Sequence, residues 1–258
     1  MRKILFVLFA AFLCLPIQQA RAWGQEGHRI IAQIAYQHLS KKAKKNVDKI
    51  LGEQGIVYWS NWADEIKSDT IYSNSSQWHY QDLDSGMTRE EVLSTLTRYP
   101  TEGGELWRAV DSLTAELRQH HDNFDALRFL THLLGDCFCP MHTGHINDLG
   151  GNRVKMKWFG QNTNLHRVWD SDLIAARGYS YSEYAAILES HFKKDTSFDL
   201  EKEEFVIHNY LLTNEIYEYQ SSWDENTYHY IYRFAPQMEW QLYAAGIYTA
   251  RVLNEIYG

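Results

Sequence analysis

The chain has 258 residues, with 25 basic against 33 acidic side chains, a formal net charge of −8 and 45% hydrophobic residues. That length supports one compact domain with a sizeable core, and the acidic balance excludes a basic surface as the main device for gripping nucleic acid. A phosphate held through divalent cations stays open, because such ions would be the largest local charges.

Residues 1–22 read as a secretory signal peptide that is cleaved from a domain over 23–258. Arg2 and Lys3 form the charged start, Ile4 to Leu15 an apolar run too short to span a bilayer comfortably, and Ala20-Arg21-Ala22 a cleavage site. Gln18, Gln19 and Arg21 end the run early, which disfavours a retained membrane anchor. A lipoprotein at Cys14 is disfavoured by Phe12 and Leu13 before it. The expectation is a secreted or periplasmic protein with no stable membrane anchor. Loss of the segment removes three basic and no acidic residues and takes the charge to −11. Cleavage would make Trp23 the first residue. A free α-amino group titrates near about 7.7–8.0, so it can ligate metal at little cost, with its own carbonyl closing a five-membered chelate.

The elements that follow are mostly helical. Gly27 to Leu39 carries Ile30, Ile31, Ile34 and Ala35 on one face, and Lys41 to Leu51 follows with a strongly basic face. Glu105 to Arg118 repeats Leu106, Val110, Leu113 and Leu117 at helical spacing. Asn123 can cap a helix through Asp136. Thr143 to Thr163 is rich in Gly and Asn and reads as loop, with a small hairpin through Val154 to Phe159. Asn164 to Ile174, Ser182 to Phe192, Glu201 to Tyr219 and Pro236 to Tyr257 complete the set, with Pro236 as a first-turn proline. No repeat or linker interrupts the pattern, so the fold class is all-α, a single compact helical domain with functional loops.

The chemistry concentrates in His132-Leu133-Leu134-Gly135-Asp136, then His142, then Gly150-Gly151-Asn152, then His166-Arg167-Val168-Trp169-Asp170. On a helix, residues four apart share a face with Cβ atoms about 5–6 Å apart. Each His-x-x-x-Asp pair therefore aims an imidazole and a carboxylate at one volume, as a zinc-type ion requires. Trp62-Ala63-Asp64-Glu65-Ile66-Lys67 and Gln77-Trp78-His79-Tyr80-Gln81-Asp82 add Asp64, Lys67, His79 and Asp82, and His28 lies just inside the expected new terminus. Any one of these taken alone reads more simply as a packed imidazole or a helix cap. The other seven histidines are read as such background. Cys137 and Cys139 are separated by one residue; small buried side chains are the preferred reading, with soft metal ligands or a strained bridge as alternatives.

These ordered motifs resemble the zinc-dependent single-strand nucleases of the S-one/P-one type, whose helical fold is shared with zinc-dependent phospholipase C. The resemblance covers the mature chain from Trp23 onward. It implies three Zn2+ in a cleft: one on Asp64, His79, His132 and Asp136; a second on the Trp23 amine and carbonyl, His28 and Asp136; a third on His142, His166 and Asp170. It further implies hydrolysis of single-stranded RNA or DNA and of 3′-nucleotides to products with 5′-phosphates or freed 3′-hydroxyls, with no obligate protein partner. Lys67 would neutralise phosphoryl charge, Asp82 would orient Lys67 or the attacking water, and Tyr80 and Asn152 would form the base pocket. The family segment between the central Asp and the next His is usually richer in His, Gln and Pro; here it is Cys137-Phe138-Cys139-Pro140-Met141. A phospholipase C pattern has Glu where this chain has Asp170 and lacks Gly-Gly-Asn. A non-catalytic periplasmic zinc-binding protein is the other alternative, without the His-rich loops such proteins often carry.

Overall fold

The computed structural model describes residues 23–97, 103–195, 197–198 and 200–258, so the signal-peptide expectation for 1–22 lies outside the described residues. The helices in chain order are α1 (Gln25–His38), α2 (Lys41–Leu51), α3 (Gly55–Trp59), α4 (Trp62–Glu65), α5 (Arg89–Ser94), α6 (Leu106–Gln119), α7 (Phe124–Asp136), α8 (Leu165–Arg167), α9 (Leu173–Ala175), α10 (Tyr181–Phe192), α11 (Lys202–Ser221) and α12 (Thr227–Tyr257). Strands β1 (Lys155–Trp158) and β2 (Gln161–Asn164) pair antiparallel as a hairpin. The all-α expectation holds. None of the described helices is long and apolar enough to cross a membrane.

Local signals explain most boundaries. Ser40 Oγ accepts from Ala43 N at 3.1 Å to start α2, and Asn123 Oδ1 accepts from Ala126 N at 3.1 Å to start α7. Reciprocal side-chain bonds between Thr88 and Glu91 start α5, a helix the apolar pattern alone does not reveal. The hairpin is longer than expected. Val154 to Phe159 contains only its first arm, and the second runs to Asn164, turning at Phe159 and Gly160 with φ of 46° and 77°.

Two helical expectations need correction. Helix α12 does not start at Pro236 but includes it, beginning at Thr227 after Asn226, whose Oδ1 accepts from Tyr228 N and His229 N. An internal proline costs about 3 kcal/mol in lost bonding and crowding. Burial of Tyr230 and Phe234 opposes that cost: Trp169 Nε1 donates to Tyr230 at 2.8 Å, and Phe234 packs edge-on against the Trp169 ring. The expected helix over Asn164 to Ile174 is interrupted by a π turn, Val168–Asp172, between α8 and α9. His166 and Asp170 therefore do not share an unbroken α-helix.

Helix α1 runs along α12 and also touches α7 and α10, placing it at the centre of the molecule. Gly246 lets α1 and α12 approach: a Cβ there would lie 2.5 Å from Ile34 Cγ2 and 3.2 Å from the Ile31 carbonyl. Helix α4 is fixed against α7 by Arg128, whose guanidinium stacks 3.5 Å over the Trp62 ring and pairs with Asp125. Gly246→Val should overpack the α1–α12 contact and lower stability by about 1–3 kcal/mol. Thermal unfolding followed by circular dichroism would show a lower Tm with unchanged helix content; an unchanged Tm would mean that the two helices separate freely.

Candidate metal centre

Helices α1 and α7 bring His28, His132 and Asp136 together, and Gly135 makes the approach feasible. A Cβ at Gly135 would sit 3.0 Å from His28 Nδ1 and 3.3 Å from Ile31 Cδ1. The His28 and His132 rings stack at 3.7 Å between centroids. Asp136 is fully buried and its two oxygens face different neighbours. Oδ1 lies 3.2 Å from His28 Nε2, while Oδ2 lies 3.0 Å from His79 Nδ1 and 3.4 Å from His132 Nε2. Asp64, from α4, adds Oδ1 at 3.6 Å from His132 Nε2 and 3.7 Å from His79 Nδ1. Donor atoms of His28, His132 and Asp136 form one compact group, and those of Asp64, His79 and His132 form a second.

Backbone carbonyls orient the rings. His132 Nδ1 lies 2.7 Å from the Ser60 carbonyl, His166 Nδ1 lies 2.7 Å from the Gly150 carbonyl, and His142 Nδ1 meets the carbonyl of His79. A carbonyl can only accept, so each Nδ1 carries the hydrogen and, in the neutral ring, each Nε2 keeps its lone pair. This is the way metal-binding imidazoles are commonly held.

Several buried donor atoms of the cluster make no hydrogen bond. His28 Nε2, His79 Nε2, His132 Nε2, His142 Nε2, Asp136 Oδ1 and Asp170 Oδ1 are buried and accept or donate no hydrogen bond. The 3.2 Å approach of His28 to Asp136 is not aligned as one. Buried polar atoms are otherwise nearly always satisfied, and each unmet one costs about 1–3 kcal/mol. Nitrogen and oxygen donors of this kind, concentrated in one place, fit a borderline divalent ion such as zinc.

The electrostatics agree. Burial drives His79 down to about 4 and His142 down to about 3, so both rings are neutral and ready to ligate. Burial and the neighbouring His132 also lower His28. In His132 burial is outweighed by Asp136 and Asp64, which raise it. Burial opposes charge on Asp64 and Asp136, but the adjacent imidazoles hold both low, with Lys67 helping at Asp64. Asp170 is pushed well up, first by burial and then by Asp64 and Asp136. Carboxylates crowded this way repel one another, and a cation between them would relieve the repulsion.

A third group unites Asp170, a His142 ring nitrogen and the Cys139 thiol. The His166 and His142 rings lie 5.3 Å apart. Gly24 N donates to the Asp170 carbonyl at 2.7 Å, which brings Trp23, fully buried, to this side of the cluster. Ser60, Gly135, Gly150 and Cys139 thus serve the cluster without carrying any of the expected ligand atoms. Ser60 lies two residues before the Trp-Ala-Asp run and left no signal of its own.

Of the two roles expected of Asp82, orienting Lys67 or orienting the attacking water, the first has no ion pair behind it in the structure. Lys67 Nζ instead binds Asp64 Oδ1 at 2.6 Å, three residues away and in easy reach on one turn. Asp82 lies in an extended segment held between Gly103 and Gly144, with Asp82 N donating to Gly103 and Leu83 N to Gly144. Its carboxylate faces the Gly150 loop and Asp148. The Tyr80 ring lies against Gly104, where a Cβ would meet its Cδ2 at 2.7 Å. Asn152 Nδ2 donates to the Leu149 carbonyl at 2.8 Å, leaving its Oδ1 for other partners. Gly151 N donates to Asp148 Oδ1 at 2.6 Å and Tyr217 donates to the same carboxylate at 2.8 Å, which makes the Gly-Gly-Asn loop rigid.

Burial and Asp148 push Asp82 up to about 8. The folded state therefore holds a proton that the unfolded chain releases above about 3.9. Stability from this group is fully present below the unfolded value and is lost as pH rises through the folded one. Asp82→Asn should flatten the fall in Tm of metal-free protein between about pH 4 and pH 8. A parallel fall in wild type and variant would mean that Asp82 ionises freely.

Comparison with known proteins follows the same geometry. The chain matches the S1/P1 Nuclease family over residues 23–258. Endonuclease 3 of Arabidopsis thaliana is 32% identical over 173 residues, covering 64% of this chain and 59% of that protein. Nuclease S1 of Aspergillus oryzae is 28% identical over 206 residues, 74% of this chain and 70% of its own length. Nuclease P1 of Penicillium citrinum is 28% identical over 160 residues, 58% of this chain and 57% of its own. The chain spans less than two thirds of the length of Endonuclease 3 and of Endonuclease 4 of the same plant. With a family match running from Trp23 to the last residue and buried His/Asp clusters at its heart, this chain belongs to the S1/P1 nuclease family.

Proposed function

We propose that the chain is a secreted zinc-dependent phosphodiesterase that cuts single-stranded RNA or DNA to 5′-phosphorylated nucleotides and removes 3′-phosphates from mononucleotides. The observation that carries this reading is the ring of partnerless buried Nε2 and carboxylate oxygen atoms around Asp136 in a chain of this family. Export before maturation is supported by the family match, which starts at the residue that cleavage after Ala22 would expose.

Three zinc ions are assigned. Asp64, His79, His132 and Asp136 would hold one, the Trp23 terminus with His28 and Asp136 the second, and His142, His166 and Asp170 the third. The two-sided placement of Asp136, with Oδ1 toward His28 and Oδ2 toward His79 and His132, supports its bridging role. When bound, zinc supplies Lewis acidity toward phosphate oxygens and lowers the pKa of an attacking water. Lys67, anchored on Asp64, brings a point charge to the rim and stabilises negative charge as it develops on the phosphoryl group. Tyr80 offers an aromatic face, and the Asn152 amide, set by its bond to Leu149, offers Oδ1 to a base edge. Asp82, whose carboxylate lies beside the Gly150 loop, would orient the attacking water. A base must leave its stack to occupy such a pocket, which costs a few kcal/mol in a duplex and so favours single strands.

The test is product analysis with protein cleaved before Trp23 and loaded with zinc. A short single-stranded oligonucleotide should yield nucleotides with 5′-phosphates, and phosphatidylcholine should be left intact. Release of phosphocholine with an intact oligonucleotide would move the site to the phospholipase class, and neither product would leave a zinc-binding protein without this activity. Asp136→Ala should abolish turnover and release both metals that it bridges; retained metal and turnover would remove Asp136 from the centre. Lys67→Ala should lower kcat by about 10²–10³-fold with metal content unchanged. A residue added before Trp23 should lower zinc content and rate together, and unchanged behaviour would show that the amine is not a ligand.

A further inference from the structure

We propose that Cys139 is a fourth protein ligand of the metal assigned to His142, His166 and Asp170. The proposal rests on the metal-centre reading above and adds to it a thiolate that the resemblance to the nucleases does not supply.

The geometry comes from one short turn. Cys139 N donates to the Asp136 carbonyl at 3.0 Å, and the Cys139 carbonyl accepts from His142 N at 2.9 Å. Pro140 follows and begins the 3₁₀ turn Pro140–Thr143 that carries His142. Helix α11 clamps this turn from behind: Asn209 Nδ2 donates to the Cys139 carbonyl at 3.4 Å, and Thr213 Oγ1 lies 2.9 Å from the Pro140 carbonyl. Cys139 and His142 are therefore held at a fixed offset, facing Asp170 across the cluster. The thiol, a His142 ring nitrogen and an Asp170 oxygen all lie within 4.8 Å of one another. Tetrahedral zinc with bonds of about 2.0–2.3 Å needs donors about 3.3–3.8 Å apart, so side-chain shifts on the order of 1 Å bring these three donors to one ion, with the His166 ring 5.3 Å from that of His142 as the fourth.

Two further observations point to a ligand there. Asp170 Oδ1 and His142 Nε2 are buried in the same place without hydrogen-bond partners. Cys139 is itself fully buried. A divalent ion on neutral imidazoles and one carboxylate would leave a net positive charge sealed from water, which is costly. A thiolate makes the site neutral. Binding releases the Sγ–H proton to solvent as the sulfur lone pair goes to the metal, and the metal's affinity for sulfur offsets the cost of deprotonating a buried thiol. Cys137 is not equivalent. The charges acting on its thiol are those of Asp136, Lys202 and Asp111, whereas Asp170 leads at Cys139. A site with four protein donors holds its metal more firmly than one that keeps an open position.

Cobalt(II) reports on sulfur ligation directly, because a thiolate bound to it adds a charge-transfer absorption in the near ultraviolet. The mature chain has only two thiols, since Cys14 falls within residues 1–22. Cobalt-loaded protein should show this band at the strength of one thiolate, with metal content measured in parallel by elemental analysis. Cys137→Ser, which leaves Cys139 as the sole thiol, should keep the band. Cys139→Ser should lose it and give up one metal to a chelator about tenfold or more faster. Should Cys139→Ser fail to fold, the Cys137→Ser spectrum alone decides. Bound cobalt without the band, or a band that disappears in Cys137→Ser, would overturn the assignment and leave the metal centre standing. Protein that takes up no cobalt would overturn both.

Discussion

The structure depends on one carboxylate sealed inside the protein. Asp136 has no exposed surface, yet the imidazoles around it keep it charged. A buried charge is tolerated only when it is paired or bound to metal. His28 approaches one of its oxygens, and His79 and His132 approach the other. The unmet atoms on those rings leave the arrangement incomplete as protein alone. Cations supply what is missing, so metal binding and the stability of the central helices are linked.

Much of the rest of the fold serves to present that cluster. Gly246 and Gly135 let α1 sit close to α12 and α7, which brings His28 onto Asp136. Arg128, stacked on Trp62, pins α4 and with it Asp64. Carbonyls from three separate segments, at Ser60, His79 and Gly150, each fix one imidazole through its Nδ1. The loops that carry them cannot be freely replaced, because their backbone atoms orient the ligands. The π turn at Val168–Asp172 belongs to the same scheme, a local departure from regular helix at Asp170, a proposed ligand.

The sequence made the helical elements and the candidate ligands legible for simple reasons. Apolar spacing marks α1, α2 and α6, Asn123 marks the start of α7, and the His132–Asp136 spacing survives as a real 3.4 Å approach. What stayed hidden depended on contacts distant in sequence. Pro236 reads as a helix start, and only the packing of Tyr230 and Phe234 on Trp169 explains why the helix continues upstream. Lys67 and Asp82 lie in adjacent motifs, but the motifs do not reveal the bond of Lys67 to Asp64 or the strand-like path that carries Asp82 between Gly103 and Gly144. The carbonyls that hold His132 and His166 belong to Ser60 and Gly150, whose side chains carry no message, and the His79 carbonyl that holds His142 is not announced by the His79 ring. Cys139 looked like ordinary small core, and its nearness to Asp170 emerges only when the turn after α7 meets the helix that follows the hairpin.

The central claim is that this cluster exists to hold metal, and elemental analysis of protein prepared to begin at Trp23 tests it most directly. The account predicts three zinc ions per chain after dialysis against metal-free buffer at neutral pH. One zinc or none would contradict it, and the partnerless atoms around Asp136 would then need another explanation.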